Sequence, residues 1–358
     1  MKFPGTLLTN IGILLASVAC SLLLGEWAVR TWMPSPDYGV GKRPAIRNQL
    51  FIYDELLGWK GSPNASSAYI SKDFIVSVSH DNLGYRNLSP AYVPGKKNIL
   101  LLGDSYGWGW GVEDDETATA VFNRKHEDFN AYSLAIPGYG TDQQYLAMQR
   151  FMDEHPTFQY EQAVVLFYLN DFDDVVASLG SGMYPKPLFH LDEQGELQLQ
   201  NVPVPQNQLP PVSITDMPTE RPLLQRSQLF NLALDSLGKI LFNLTADPDP
   251  VEVGPVTLTD TDQHSIMVAE KLLQKIRDYC QSRNMGFQVV FLMTINTDGK
   301  PTMMIQQLAG RLQQDGIAHS FVHSRLFPRT DLWLDTHYTP YGQARLADHL
   351  GEILNREP

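Results

Sequence analysis

Cysteine is nearly missing from this chain: Cys20 and Cys280 are the only two in 358 residues. Cys20 stands in an apolar N-terminal stretch and Cys280 in a segment of helical spacing. No disulfide is therefore expected, and the fold has to rest on a hydrophobic core. Basic charge is also scarce, with 27 Lys and Arg against 40 Asp and Glu and a net charge of -13. With no basic block to offset that balance, nucleic acid and electrostatic docking on anionic lipid are excluded as modes of binding. The acidic run Glu113-Asp114-Asp115-Glu116 reads as a solvated helix entrance. No cluster of His, Cys and Asp reads as a metal site, so neither a metal nor another cofactor is expected. Gly107, Gly109 and Gly111 lack the Gly-Lys-Ser/Thr of a phosphate loop; with Trp108 and Trp110 between them they read as an aromatic-lined loop. There is no internal repeat.

Long uncharged runs that are also almost wholly apolar are missing, except at the start. Between Lys2 and Glu26 no charged residue occurs, and Ile11 to Leu24 is almost wholly apolar. That length matches the hydrocarbon core of a bilayer. Ser17-Val18-Ala19-Cys20 approaches a lipoprotein cleavage box, but Ser17 stands where an aliphatic residue is required and the apolar run continues to Leu24. An uncleaved anchor, one transmembrane helix within residues 1–32, is the better reading than a signal peptide. Lys2 and the amino terminus favour the cytoplasmic side for the start, opposed by Arg30, Lys42 and Arg43 beyond the helix. Trp27 and Trp32 suit an interfacial belt.

Residues 33 to about 60 read as an extended linker. A short strand at Phe74 to Ser79 and a turn at Asp81-Asn82-Leu83-Gly84 complete a linker-plus-β region over 33–96. From Lys97 strand and helix alternate. Apolar runs at Asn98–Leu102, Phe129–Leu134 and Ala163–Tyr168 read as strands buried on both faces. Helical spacing runs from about Thr117 to His126, and Thr141 with Gln144 forms a capping box for a second helix. The regularity breaks at about 173–260, an insertion with a hairpin around Gln194-Gly195 and an amphipathic helix over Phe230 to Leu241. Alternation resumes with a helix carrying Ile266, Leu273, Ile276 and Cys280 on one face. A strand follows at Phe287 to Ile295, then a helix at Met303 to Leu312 and a strand at Ser320 to Val322. A last helix opens at Pro340, with Leu346, Leu350 and Leu354 as its buried stripe. This order predicts an α/β domain over 97–358, a parallel sheet covered on both faces, with ligands beyond the carboxyl ends of the strands.

Four clusters fall at such strand ends. Gly103-Asp104-Ser105 presents a hydroxyl above the sheet. Gly138, in Ile136-Pro137-Gly138-Tyr139-Gly140-Thr141-Asp142, lets a backbone N–H approach a reacting oxygen. Asn170-Asp171 offers a side-chain amide for an oxyanion and a carboxylate to fix the loop. Asp335-Thr336-His337 supplies a base and an acidic partner to orient it, as a hydroxyl nucleophile needs. Taken singly they read as a turn, a strand-to-helix connection, an Asx turn and a surface His near a helix start; all four converge on one cleft.

The order Gly103-Asp104-Ser105, Gly138, Asn170-Asp171, Asp335/His337 resembles the blocks of SGNH/GDSL hydrolases, from about Lys97 to the C-terminus. The resemblance implies a flavodoxin-like three-layer α/β/α fold. It implies Ser105 as nucleophile, His337 as general base and Asp335 as its partner, with an oxyanion hole of Ser105 N–H, Gly138 N–H and the Asn170 side chain. Many members separate the last Asp and His by two residues. The single Thr336 here is similar to alginate-acetyltransferase-like relatives. The expected activity is hydrolysis of carboxylic esters through an acyl-Ser105 intermediate. Its expected partners are an acyl-ester substrate on a cell-surface or exported glycan and, through the anchor, the membrane, with the catalytic domain outside the cytoplasm. An O-acyltransferase and a non-catalytic glycan-binding protein on the same scaffold are the alternatives.

Overall fold

The computed structural model describes residues 5–32, 50–70, 74–180, 184–206, 227, 229, 257–293, 299–323 and 336–355. By its internal contacts the chain divides into two units, Met1–Pro44 with Ile214–Val253, and Ala45–Ser213 with Gly254–Pro358.

In the first unit, helix α1 runs over Gly5–Trp32. Its stretch Gly12–Val29 is long and apolar enough to cross a membrane. Ile13, Leu14, Leu15, Leu22, Leu23 and Leu24 are all exposed. Near its end the Glu26 carboxylate accepts from the Ser227 hydroxyl at 2.7 Å and the Leu229 N–H at 2.9 Å. The amphipathic helix expected at Phe230 to Leu241 lies outside the described residues.

The second unit opens with two antiparallel pairs: β1 (Phe51–Asp54) with β2 (Gly58–Gly61), and β3 (Ser66–Ile70) with β4 (Ile75–Ser79). The first pair corrects the reading of residues 33 to about 60 as linker throughout. Asp54 Oδ1 accepts from the Leu56 and Leu57 N–H groups, and Gly58 takes φ +84°, so the chain reverses tightly. Leu57 is buried beneath that turn.

The main sheet comprises β5 (Lys97–Leu102), β6 (Phe129–Ser133), β7 (Gln162–Phe167), β12 (Gly286–Met293) and β13 (Ala318–His323) in the order β13-β12-β7-β5-β6, every pair parallel. Numbered by appearance this is 2-1-3-4-5, the flavodoxin-like order, with its switch point between β5 and β7. Between β7 and β12 the described residues include two small antiparallel pairs. The two-residue strands β8 (Leu179–Gly180) and β9 (Tyr184–Pro185) pair with each other. The expected hairpin consists of β10 (Leu188–Leu191) and β11 (Leu197–Gln200), with Gly195 at φ +76° in its turn.

Buried side chains fill both faces of the sheet. On one lie Leu100, Leu102, Val165, Phe167, Val289 and Phe291, against helices α4 (Thr141–Glu154), α6 (Asp260–Ser282) and α7 (Lys300–Gln314). On the other lie Ile99, Leu101, Val164, Leu166, Val290 and Leu292, against α3 (Ala118–Lys125) and α8 (Pro340–Leu354). This two-sided burial is why the strands read as unbroken apolar runs. Ile266, Leu273, Ile276 and Cys280 are buried on α6, and both cysteines are free thiols.

Two local readings shift. Helix α4 is closed by Gly140 N–H on Gln143 Oε1 at 3.3 Å rather than by a Thr141/Gln144 box. Thr141 Oγ1 and Gln144 Nε2 instead both donate to Asp171 Oδ1, at 2.9 and 3.1 Å. The acidic run does open a helix, through a short 3-10 turn at Asp114–Glu116, but it is not merely solvated. Glu113 Oε2 accepts from Ser77 N–H at 2.9 Å and Asp114 Oδ1 from Ser79 N–H at 3.2 Å, so both carboxylates dock strand β4.

Candidate active site

Strand β5 ends at Leu102, and Gly103 and Asp104 turn the chain into a one-turn helix α2 (Ser105–Trp108). Asp104 caps it, Oδ1 accepting from Tyr106 N–H at 2.9 Å. Gly107 faces the Ala135 and Leu166 side chains so closely that a Cβ would lie 2.9 Å from the first. Any side chain there would force the turn or these neighbours to shift.

Ser105 Oγ lies 2.8 Å from His337 Nε2, although 232 residues separate them. That is the distance and the atom pair a base needs to take a hydroxyl proton. Asp335, expected to orient the imidazole, lies outside the described residues. Thr336, just before His337, sits at φ +72°. A β-branched residue in the left-handed region is strained, and such strain persists only where surroundings impose it. Tyr106 supplies part of that constraint, its hydroxyl donating to Thr336 O at 3.1 Å. Gln343 on α8 adds another: its Nε2 donates to Tyr106 O at 3.1 Å while its Oε1 accepts from Ala118 N–H at 2.8 Å. Two aromatic rings lie nearly parallel to the imidazole, Tyr106 at 4.7 Å and Trp110 at 5.1 Å.

Beyond β6, Gly138 takes φ +79° in a turn closed by Tyr139 N–H on Ile136 O at 3.1 Å. Only glycine adopts that conformation without strain. Trp59 on β2 holds the turn from outside, its Nε1 donating to Pro137 O at 3.1 Å.

Beyond β7, Asn170 Nδ2 donates to Asp104 Oδ2 at 3.0 Å and to Asp174 Oδ2 at 2.9 Å, and Asn170 Oδ1 is buried without a hydrogen-bond partner. The amide thus bridges two carboxyls, and serving an oxyanion requires releasing one of them. Asp171 fixes the loop as expected, fully buried and accepting from Thr141, Gln144 and Tyr168 N–H. Burial raises the Asp171 pKa well above the ordinary carboxylate value, and the nearby Asp104 charge adds to it. Burial likewise raises Asp104, opposed by the Tyr106 N–H and the charge on His337. Asp174 is pushed up to about 7, first by burial and then by Asp104. Beside them Lys186, completely buried, is ion-paired with buried Asp142 and donates to the carbonyls of Asp174, Ala177 and Pro187. A lysine can be buried this way only with an anion and acceptors for its protons.

The structure therefore brings Ser105, His337, Gly138 and Asn170 to the carboxyl ends of adjacent strands. Asp142, from the cluster around Gly138, belongs to the same region, as do Asp174, Lys186 and Trp59, which no motif marks. Among the described residues no group of three or more His, Cys, Asp or Glu gathers to hold a metal. The chain does contain one His-x-x-x-His spacing, His319 and His323, but it lies on β13. Four residues of strand separate those positions by about 13 Å.

Neither a family model nor a curated protein sequence matches the chain. Solved structures similar to it include TesA, at 11% identity with a TM-score of 0.40, covering 72% of this chain and 98% of that one. A member of the lipolytic G-D-S-L family from Veillonella parvula is similar at 10% identity and TM-score 0.38, covering 73% and 99%. The psychrotrophic esterase EstA from Pseudoalteromonas sp. is similar at 11% identity and TM-score 0.39, covering 73% and 100%.

Proposed function

We propose that this chain is a serine esterase in which Ser105 attacks the acyl carbon of an ester and His337 takes its proton. The 2.8 Å approach of Ser105 Oγ to His337 Nε2 carries this reading. The imidazolium then returns the proton to the leaving alcohol, leaving an acyl-Ser105 ester. Water, deprotonated by the same His337, releases the acid. Ser105 N–H, Gly138 N–H and Asn170 Nδ2 are the donors for the tetrahedral oxyanion. Asp335 is the partner that fixes the imidazole tautomer. Helix α1 anchors the protein in a membrane with the catalytic unit outside the cytoplasm, and the substrate is an O-acylated cell-surface or exported glycan. The aromatic loop beside the nucleophile supports a sugar substrate, and the uncharged run of α1 supports the anchor.

Turnover of an activated acetyl ester by purified wild-type chain, Ser105→Ala and His337→Ala tests the chemistry: activity in wild type alone supports it, and activity retained in either variant sinks it. Acetylated glycan formed in preference to acetate, when an acceptor is added, would replace hydrolysis with transfer, the outcome the Asp335-Thr336-His337 spacing favours. Protease treatment of intact spheroplasts tests the location, since a catalytic unit outside the cytoplasm is digested and one inside is spared.

A further inference from the structure

Residues 50–87 precede the parallel sheet, and their core is not their own. Leu50, Ala65, Phe74, Val76 and Val78 pack around Trp108 and Ala135, with Trp110 partly buried against them. Trp108 and Trp110 come from the loop that follows Ser105. That loop is glycine-rich, with Gly109 at φ +84° and Gly111 at φ +81°, a backbone that needs outside support to hold one shape.

Arg86 supplies the support. Its guanidinium is buried, and all five of its N–H donors are used. Nε donates to Asp114 Oδ1 at 2.7 Å; Nη1 to Gly109 O at 2.6 Å and Trp108 O at 3.4 Å; Nη2 to Val112 O at 2.6 Å and Ser77 O at 3.2 Å. The same group lies 4.8 Å above the Trp108 ring. Three carbonyls of one loop on one cation fix the loop far more firmly than neutral bonds do. The loop in turn fixes Trp110. Its N–H donates to Ser105 O at 3.0 Å, its ring meets Phe74 edge-on at 6.5 Å, and its face lies 23° from parallel with His337.

We propose that Trp110, held in place by Arg86, is a positioning residue for His337. The indole face keeps the imidazole plane aligned so that Nε2 stays on Ser105 Oγ. Its negative π-face also favours the imidazolium that forms as the proton is taken, a gain made in the transition state rather than on substrate binding. The proposal rests on Ser105 and His337 being nucleophile and base. It makes the N-terminal β region part of the catalytic apparatus rather than an attachment to it.

The test uses the full-length chain in detergent, with p-nitrophenyl acetate as substrate and a fluorophosphonate probe for Ser105. Trp110→Leu should lower kcat about 3- to 30-fold, the range of a cation–π contact, with KM within about twofold. Trp110→Phe should recover most of that loss, because the face remains. Arg86→Met should resemble Trp110→Leu in kcat or fail to fold, either being expected of a buried clamp, so the Trp110 pair decides. Phe no better than Leu, or a rise in KM with kcat unchanged, would overturn the proposal and make Trp110 a substrate contact or a packing residue. Wild-type chain unlabelled by the probe would overturn the nucleophile assignment itself; wild type and Trp110→Leu labelled at equal rates would overturn only the role of Trp110.

Discussion

The two sides of Ser105 are built from different materials. Towards Asn170 the site is a buried polar network of Asp104, Asp171 and Asp174, with the Asp142–Lys186 pair beside it. Towards His337 it is aromatic, with Tyr106 and Trp110 on the imidazole and Trp108 and Phe74 behind. In the proposed reaction, directed hydrogen bonds suit the side where a developing charge needs donors at a set angle. Ring faces would suit the side where the proposed base keeps its plane and bears a transient positive charge. The polar side depends on a few bonds whose loss leaves buried charges uncompensated. The aromatic side spreads its support over packing, so each contact is worth less.

The comparison is broken most severely at Asn170. Asn170→Ala is expected to lower kcat about 10²- to 10³-fold with KM little changed, measured with the acetyl ester. A rise in KM alone would mean that the amide binds ground-state substrate, and unchanged kinetics would mean that it serves only to bridge Asp104 and Asp174.

Lys186→Met comes next. It leaves Asp142 buried without its cation and should cost about 3–5 kcal/mol of stability, read from urea unfolding. A loss below about 1 kcal/mol would show that Asp142 is neutral and the pair is not ionic.

A smaller, sharper contrast concerns pH. Asp174 in the folded chain titrates at about 7, well above an unfolded carboxylate. The folded state therefore keeps a proton that the unfolded chain has lost. That contribution is fully present below the unfolded pKa, about 4, and disappears as pH rises through about 7. His80, on the aromatic side, runs the other way. Its Nε2 accepts from Trp108 Nε1 at 3.2 Å, which requires the neutral ring. Burial, and then the Arg86 charge, hold its pKa down to about 4. Its contribution is present above the unfolded value, about 6.5, and is lost as pH falls through about 4. Urea midpoints from pH 4 to 8 should show Asp174→Asn gaining on wild type as pH rises, and His80→Phe gaining on it as pH falls. Profiles parallel to wild type in both variants would remove the contrast.

Much of the polar-aromatic difference is invisible in the sequence. The sheet was readable because both-sided burial makes Asn98–Leu102 and Ala163–Tyr168 continuous apolar runs. Ser105 and His337 were readable because each follows a strand or precedes a helix in a recognisable cluster. Lys186 was not, since it reaches Asp142 from 44 residues away in an irregular segment. Arg86 gave no signal either; its acceptors are backbone carbonyls, which every residue has. The turn at Asp54 to Gly58 leaves no sequence signal because its two strands are only four residues each, too short for alternation to register. The capping register at Gly140 slipped by one because glycine carries no side-chain capping signal, while Thr141 does. Asp174 was hidden for another reason: nothing local distinguishes it from Asp173, which is exposed.

The central claim is that Ser105 is a nucleophile activated by His337. The most direct measurement is mass spectrometry of the full-length chain after brief exposure to a fluorophosphonate, on wild type, His337→Ala and Ser105→Ala. A single adduct on Ser105 is expected in wild type, labelling slowed at least about 10³-fold in His337→Ala, and none in Ser105→Ala. An adduct elsewhere, or Ser105 labelled at the wild-type rate without His337, would contradict it.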